Sequence, residues 1–236
     1  MEEPLKIDVI TVFPAMFKGF LEASIVKRAA SSGRVAIRTV DLRDFSTDRR
    51  RTVDDKPFGG GPGMLMKCDV WFSAIEQIAS PDARVILTSP AGKRFTQKDA
   101  EELSHEKHLV FLCGHYEGID ERVKRLVTDE YSIGDFVLTG GEIPAAAMVD
   151  SITRLLPGVL GGGPEAAALE SFGRENLLEA PQYTRPVSFR GMEVPKELYG
   201  GNHAEVEAWR RRQAVDLTVR RRPDLISGGG TFAAGM

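Results

Sequence analysis

Three short glycine-containing segments of the sequence are candidates for a binding site. They occupy residues 89–92, 114–118 and 133–144, and each follows or encloses an apolar stretch. Glycine lets the backbone approach a ligand closely, and in open α/β sheets ligands bind outside the carboxyl ends of the strands. One such segment indicates only a turn, but three at the same sheet edge predict a site for one small molecule.

The sequence lacks the glycine patterns of common nucleotide-binding enzymes. Residues 10–14 read Ile-Thr-Val-Phe-Pro where a dinucleotide-binding enzyme would have G-x-G-x-x-G, and residues 59–63 lack the Lys and Ser or Thr of a phosphate-binding loop. His105 and His108 are three residues apart, but a predicted helix ends between them. We therefore predict no metal site, and an α/β dehydrogenase is a weaker alternative.

The composition is that of a globular protein. The 236 residues are 42% hydrophobic and 28% charged, which fits one large domain or one domain with a small second one. No apolar run approaches the roughly 20 residues that a membrane helix needs, and the acidic N-terminus does not resemble a signal peptide. Two cysteines are too few for a disulfide framework, so we expect a cytoplasmic location and no membrane partner.

Charge is distributed unevenly along the chain. The net charge is −3, but residues 173–236 contain ten Arg and Lys against eight Asp and Glu, and the rest of the chain contains 21 against 26. Arginine triplets stand at 210–212 and 220–222. A basic cluster can neutralise nucleic-acid phosphates, although a solvated helix face would have the same composition.

Strand and helix patterns alternate over residues 1–160. Predicted strands cover residues 6–13, 35–40, 83–88, 109–113 and 136–139, and predicted helices cover 14–30, 69–79, 96–104, 119–127 and 141–156. Thr96 and Asp99 have the spacing of a capping box, and residues 44–63 form a long polar, glycine-rich loop. Strands that are apolar throughout indicate a parallel sheet covered on both faces, hence the α/β class.

The last quarter of the chain is predicted to be a separate helical domain. Residues 161–172 are small and without periodicity, which is typical of a flexible linker. Within residues 173–236, Asn202 followed by Glu205 resembles a capping box at the start of a helix. The buried face of that helix would consist of Val206, Trp209, Gln213 and Leu217, which leaves Arg211 and Arg212 facing outward.

Six segments together resemble the bacterial tRNA (guanine-N1)-methyltransferase family of the TrmD type, and they follow the family's order. They are residues 51–66, 113–122, 132–142, 154–161, 181–186 and 201–203. The resemblance implies methyl transfer from S-adenosylmethionine to N1 of the guanine 3′ of the anticodon, position 37 of tRNA. It also implies a SPOUT-type parallel sheet with a C-terminal trefoil knot, a helical tRNA-binding domain, and a homodimer with shared active sites.

The resemblance further implies which residues contact the methyl donor. Most would do so through their backbone in the three glycine-containing loops. These residues are Ser89, Pro90, Gly114, Tyr116, Glu117, Gly118, Ser132, Ile133, Gly134, Asp135, Phe136, Val137, Leu138, Gly140, Gly141 and Pro144. Magnesium is expected from the family, although the sequence shows no ligand cluster that would place it.

Catalysis would need two groups besides the donor. N1 of guanine has a proton at neutral pH, so a base must remove it and a cation must stabilise the charge that develops on O6. The resemblance assigns the second task to Arg154. The family's usual aspartate is replaced here by Glu170, which has a similar intrinsic pKa but is one methylene longer. We hypothesise that Glu170 is the base, with Glu117 as the alternative.

The substrate RNA is expected to contact both parts of the chain. Residues 48–63 would lie over the target nucleotide. The candidate RNA contacts are Asp55, Gly59, Arg185, Asn202, Arg210 and Arg211. The exchange of aspartate for Glu170 also leaves open a tRNA-binding protein of this fold with weak or lost catalysis.

Overall fold

The computed structural model describes residues 3–161, 168–173 and 175–227. The chain divides into two compact units, Met1–Gly163 and Pro164–Met236. Residues 162–167, the middle of the predicted linker, and the glycine-rich residues 228–236 lie outside the described residues.

A five-stranded parallel sheet forms the centre of the N-terminal unit. In sheet order its strands are β2 (Val35–Asp41), β1 (Leu5–Thr11), β6 (His108–Cys113), β5 (Arg84–Arg94) and β7 (Asp129–Ser132). Two short antiparallel strands, β3 (Asp54–Asp55) and β4 (Leu65–Met66), pair with each other beside it. The predicted α/β class with a parallel sheet is therefore confirmed.

Helices cover the sheet, which explains why its central strands are apolar throughout. They are α1 (Lys18–Leu21), α2 (Ser24–Ser31), α3 (Cys68–Ile78), α4 (Gln97–Ser104) and α5 (Glu142–Thr153). Successive residues of β6 alternate between two cores: Leu109 and Phe111 pack with α4 and α5, whereas Val110 and Leu112 pack with α3. Every side chain of β6 is buried as a result.

A buried charge cluster lies where β1, β2 and β6 are adjacent. The Asp8 carboxylate is fully buried and accepts hydrogen bonds from Arg38 at 2.7 Å and from His108 Nε2 at 2.9 Å. Lys6 lies 3.2 Å from the same carboxylate. Burial acts to raise the pKa of Asp8, but the hydrogen bonds from Arg38, His108 and Lys6 outweigh it and hold the pKa below 3.8.

Four sequence predictions for this unit need correction. Residues 136–139 form no strand, and the edge strand is β7, which precedes them. The helix predicted at 14–30 is broken into a 3-10 turn (Pro14–Phe17), α1 and α2, with Ser24 at a positive φ of 50°. The helix predicted at 119–127 is a 3-10 helix, Glu121–Leu126, and β5 continues beyond Thr88 to Arg94 with a register shift.

The C-terminal unit contains one long helix and a small hairpin. The hairpin strands are β8 (Ser188–Phe189) and β9 (Met192–Glu193), and the helices are α6 (His203–Arg221) and α7 (Asp224–Ser227). Asn202 caps α6 as predicted, although its side chain accepts the N–H of Ala204 at 3.2 Å. Trp209 is buried. No helix among the described residues is both long and apolar enough to cross a membrane.

Candidate functional site

A cleft of about 410 Å³ lies beside the middle of β5 and the ends of β6 and β7. Its volume is in the range of small-molecule sites. All of the predicted donor contacts line it except Asp135. The structure therefore brings the three glycine-containing segments together, although the first, residues 89–92, lies within β5 at its register shift and does not follow that strand.

Two of these loops are bonded directly to each other. The N–H of Gly141 donates to the carbonyl of Gly114 at 2.8 Å, and His115 forms an antiparallel bridge with Gly140. A Cβ added to Gly141 would lie 2.1 Å from Thr88 Oγ1 and 2.9 Å from Cys113 Cα. Glycine is therefore required here because the backbone of the third loop passes directly over β5 and β6.

The second loop is also fixed to the chain segment before α3. Glu117 N–H donates to the carbonyl of Met64 at 3.0 Å, and Met66 N–H donates to the carbonyl of Gly118 at 3.0 Å. Gly63 has a φ of +81°, and a Cβ there would lie 2.4 Å from the Glu117 side chain. The glycine-rich end of residues 48–63 thus lies against the cleft wall.

The third loop is held by a serine and presents apolar side chains. Ser132 Oγ donates to the carbonyl of Gly134 at 3.1 Å and accepts its N–H at 3.2 Å. Gly134 has a φ of +150°, which glycine adopts readily. Phe136 is 55% exposed and Val137 is 85% exposed, so the apolar pattern of this segment comes from a loop and not from a buried strand.

Several charged side chains line the cleft. Glu117, Asp120 and Glu121 line it together with Lys124. The hydrogen bonds from Arg122 hold the pKa of Asp120 below its ordinary value, so this carboxylate is ionised. The Glu117 carboxylate has no ion pair within the described part of the chain. Asp120 pairs with Arg122 at 2.7 Å and Glu121 pairs with Lys124 at 3.1 Å, so Glu117 is the carboxylate that suits a ligand with a positively charged centre.

Several cleft residues were missed by the sequence analysis, and Thr88 and His115 make the contacts that shape the cleft wall. Thr88 was assigned to a strand, yet its hydroxyl donates to the carbonyls of Leu112 at 3.2 Å and of Gly141 at 3.4 Å. His115 lies inside the second predicted loop, but the predicted donor contacts in that loop were Gly114, Tyr116, Glu117 and Gly118. Its ring lies between those of Phe13 and Tyr116, with centroid distances of 4.8 Å and 5.2 Å.

The candidate catalytic residues belong to different units. Arg154 follows α5 directly, and its N–H donates to the carbonyl of Asp150 at 3.1 Å. Arg154 is not among the residues that line the cleft. Glu170 lies in the C-terminal unit, and its carbonyl accepts the N–H of Gly173 at 3.0 Å. Its neighbour Ser171 accepts the N–H of Glu179 at 3.0 Å, so this part of the predicted linker is folded.

The candidate RNA contacts are exposed in both units. In the N-terminal unit these are Asp55 and Gly59, and in the C-terminal unit they are Arg185, Asn202, Arg210 and Arg211. Arg211 lies 3.4 Å from Glu175. Among the described residues, no group of three or more His, Cys, Asp or Glu side chains could hold a metal ion.

Comparison with known proteins identifies a family. Residues 5–228 match the family described as tRNA (Guanine-1)-methyltransferase TrmD. A tRNA (guanine-N(1)-)-methyltransferase of Moorella thermoacetica is 55% identical over 228 residues, which is 94% of this chain and 90% of the relative. Relatives of the same name are 53% identical in Dictyoglomus turgidum (94% and 90% covered) and 51% identical in Bacillus subtilis (94% and 92% covered).

Proposed function

Since the chain belongs to the TrmD family of tRNA (guanine-N1)-methyltransferases, we propose that it methylates N1 of guanine 37, directly 3′ of the anticodon. The methyl donor would be S-adenosylmethionine, bound in the cleft between the three glycine-containing loops. The main support for this assignment is that the predicted donor contacts, except Asp135, line one cleft.

The cleft has features that fit this donor. Leu87, Pro90 and Leu138 give it apolar surface for an adenine ring, and five glycines expose main chain to hydrogen-bond the polar edges. The Glu117 carboxylate, which has no ion pair in the described part of the chain, would complement the positive charge of a sulfonium or an amino group. When bound, S-adenosylmethionine supplies an electrophilic methyl group on sulfur.

The protein's own groups would then act on the guanine. In this proposal the Glu170 carboxylate removes the N1 proton, so that the N1 lone pair becomes nucleophilic. The Arg154 guanidinium donates to O6 and stabilises the negative charge that develops there. Holding N1 in line with the methyl group supplies much of the remaining rate acceleration.

Further parts of the proposal concern assembly and surroundings. We place the enzyme in the cytoplasm with its tRNA substrate and expect a homodimer with shared active sites. Apolar side chains beside the cleft support a covering partner, since Val137 is 85% exposed and Ile143 is 54% exposed. A magnesium requirement is tested by comparing methyl transfer with and without a chelator.

A single-turnover assay tests the reaction. We expect methyl transfer to a tRNA with guanine at position 37 and none to the same tRNA with adenine there. Product digestion should locate the methyl group on N1. Transfer to another nucleotide, or binding of tRNA without transfer, would contradict the proposal, and the second result would favour a tRNA-binding protein that has lost catalysis.

A substitution tests the base. Glu170→Gln should slow the single-turnover rate by about a hundredfold or more, because an amide cannot accept the N1 proton. Glu207→Gln, an exposed carboxylate on α6, is the control and should retain the wild-type rate. A Glu170→Gln protein that transfers methyl at the wild-type rate would rule out this base and direct attention to Glu117.

A further inference from the structure

Glu142 is a buried carboxylate that the proposed reaction does not use. It is the first residue of α5 and only 2% exposed. Burial of a carboxylate is costly unless hydrogen bonds or charges compensate. The N-terminus of a twelve-residue helix stabilises negative charge and offsets part of this cost.

One oxygen of Glu142 is bonded to the end of β1. Thr11 is fully buried, and its hydroxyl donates to Glu142 Oε1 at 2.7 Å. The same hydroxyl oxygen accepts the N–H of Phe13 at 2.9 Å. Both bonding roles of the Thr11 hydroxyl are therefore used, and they fix the position of the carboxylate relative to β1.

The other oxygen of Glu142 faces the second cleft loop. His115 Nδ1 lies 3.7 Å from Glu142 Oε2 and is a buried atom without a hydrogen-bond partner among the described residues. The imidazole makes edge contacts with the aromatic rings of Phe13 and Tyr116. These contacts restrict the rotation of the ring.

Glu142 and His115 together confine Gly140, a residue of the cleft wall. A Cβ at Gly140 would lie 2.3 Å from Glu142 Oε2 and 2.4 Å from His115 Nδ1. The backbone of Gly140 is thus packed between a carboxylate and an imidazole. We therefore expect a displacement of either side chain to shift the third loop where it lines the cleft.

We propose that Glu142, held by Thr11 and facing His115, is a positioning residue that sets the shape of the methyl-donor cleft. It fixes the backbone of Gly140 against the second loop, and so holds the two loops at the separation the donor requires. This inference rests on the proposed function, because it assumes that the cleft binds S-adenosylmethionine. No direct contact between Glu142 and the donor or the guanine is part of it.

Calorimetric binding of S-adenosylmethionine to the full chain is the test. Glu142→Gln keeps the shape of the side chain, and Thr11→Val removes the hydroxyl that holds it. Each should raise the Kd for the donor about tenfold, because the first change weakens and the second removes the buried hydrogen bond between residues 11 and 142. At saturating donor, kcat should change less than about threefold, since these groups do not take part in proton transfer.

Two control variants separate positioning from general stability. Thr11→Ser keeps the hydroxyl and should restore donor affinity to within about twofold of wild type. Thr153→Val alters a buried hydroxyl on the same helix that has no hydrogen-bond partner among the described residues, and it should leave the Kd unchanged. Thermal unfolding of each variant is measured in parallel.

Each remaining outcome counts against the proposal in a distinguishable way. Wild-type donor affinity in folded Glu142→Gln or Thr11→Val would overturn it while leaving the proposed function intact. Failure of both variants to fold, with Thr11→Ser folded, would also overturn it, because a role in the fold alone would then suffice. A wild-type protein that binds no S-adenosylmethionine would remove the proposed donor site itself.

Discussion

Gly141 shows how a single missing side chain permits the cleft to exist. A Cβ there would meet Thr88 Oγ1 at 2.1 Å and the backbone of Cys113 and Gly114 at 2.9 and 3.1 Å. Its φ is negative, so the requirement for glycine is steric and not conformational.

Gly141→Ala is therefore expected to lose stability and donor affinity together. Overpacking of this kind costs about 1–3 kcal/mol, which guanidinium unfolding would measure. Gly19→Ala is the matched control, because a Cβ at Gly19 in α1 would contact nothing within 4 Å. If Gly141→Ala has the same free energy of unfolding and the same donor affinity as Gly19→Ala, the loop must be free to shift away from β5.

The buried carboxylate of Asp8 predicts that the free energy of unfolding depends on pH. Its folded pKa lies below the ordinary 3.8 because the hydrogen bonds from Arg38, His108 and Lys6 outweigh the effect of burial. A carboxylate with a lowered folded pKa stabilises the fold fully above its unfolded pKa, and the contribution is lost as pH falls through the folded value.

Asp8→Asn should consequently lower the free energy of unfolding by about 3 kcal/mol at pH 7, as removal of a buried ion-pair partner does. The difference between variant and wild type should shrink as pH falls below 3.8. Urea unfolding of both proteins between pH 7 and pH 3 measures it. A difference that stays constant over this range would show that the Asp8 charge does not stabilise the fold.

At the scale of elements, α4 begins with a capping box that was predicted from two residues. Thr96 Oγ1 accepts the N–H of Asp99 at 3.4 Å, and Asp99 Oδ2 accepts the N–H of Thr96 at 2.9 Å. Thr96→Ala should destabilise the protein by about 1 kcal/mol, the usual cost of an N-cap. Thr96→Ser keeps the hydroxyl and should lose less than half of this free energy. Thermal unfolding of wild type and both variants measures the difference.

The edge of the sheet shows where sequence patterns are insufficient. The strand β7 reads Asp-Glu-Tyr-Ser, which has no strand signature. It is held in the sheet by its pairing with β5 and by the hydrogen bond from Arg84 to Asp129 at 2.7 Å, which sequence patterns do not show. The apolar run that follows it belongs to an exposed loop. Periodicity reports burial in a core, so it fails where apolar residues serve a binding surface instead.

The central elements were predictable for the opposite reason. Strands β1 and β6 were predicted within two residues, since burial on both faces leaves a nearly unbroken apolar pattern. The edge strand β2 and helices α3 and α4 were predicted within one residue from their local patterns and, for α4, from its capping box. The glycine loops at their ends could be grouped from topology alone. The buried network of Thr11, His115 and Glu142 could not, because those residues are far apart in sequence and their contacts depend on tertiary packing.

For the whole molecule, the prediction concerns how tRNA binding depends on salt. The arginines at 210–212 and 220–222 lie in or directly after α6, and Arg210 and Arg211 are exposed. Replacing both with Gln should weaken tRNA binding and flatten the plot of log Kd against log salt by about one unit per lost phosphate contact. Filter binding at several salt concentrations measures this slope.

Arg28→Gln serves as the comparison for that experiment. Arg28 is exposed on α2 and outside the predicted RNA contacts, so its removal changes the net charge by one unit without removing a predicted contact. A slope that falls by half as much for Arg28→Gln, which removes half as much charge, would indicate a general charge effect. An unchanged slope for the double variant would exclude Arg210 and Arg211 from the phosphate contacts.

The cleft's five glycines, Gly114, Gly118, Gly134, Gly140 and Gly141, also bear on inhibitor resistance. A compound that hydrogen-bonds to main-chain atoms of these glycines does not depend on side chains that a point mutation could replace. Substitutions at Gly140 or Gly141 would place atoms closer than 2.5 Å to each other in the cleft wall. They would therefore weaken binding of the methyl donor as well as binding of the inhibitor. Escape by point mutation in these two residues would therefore carry a loss of fitness.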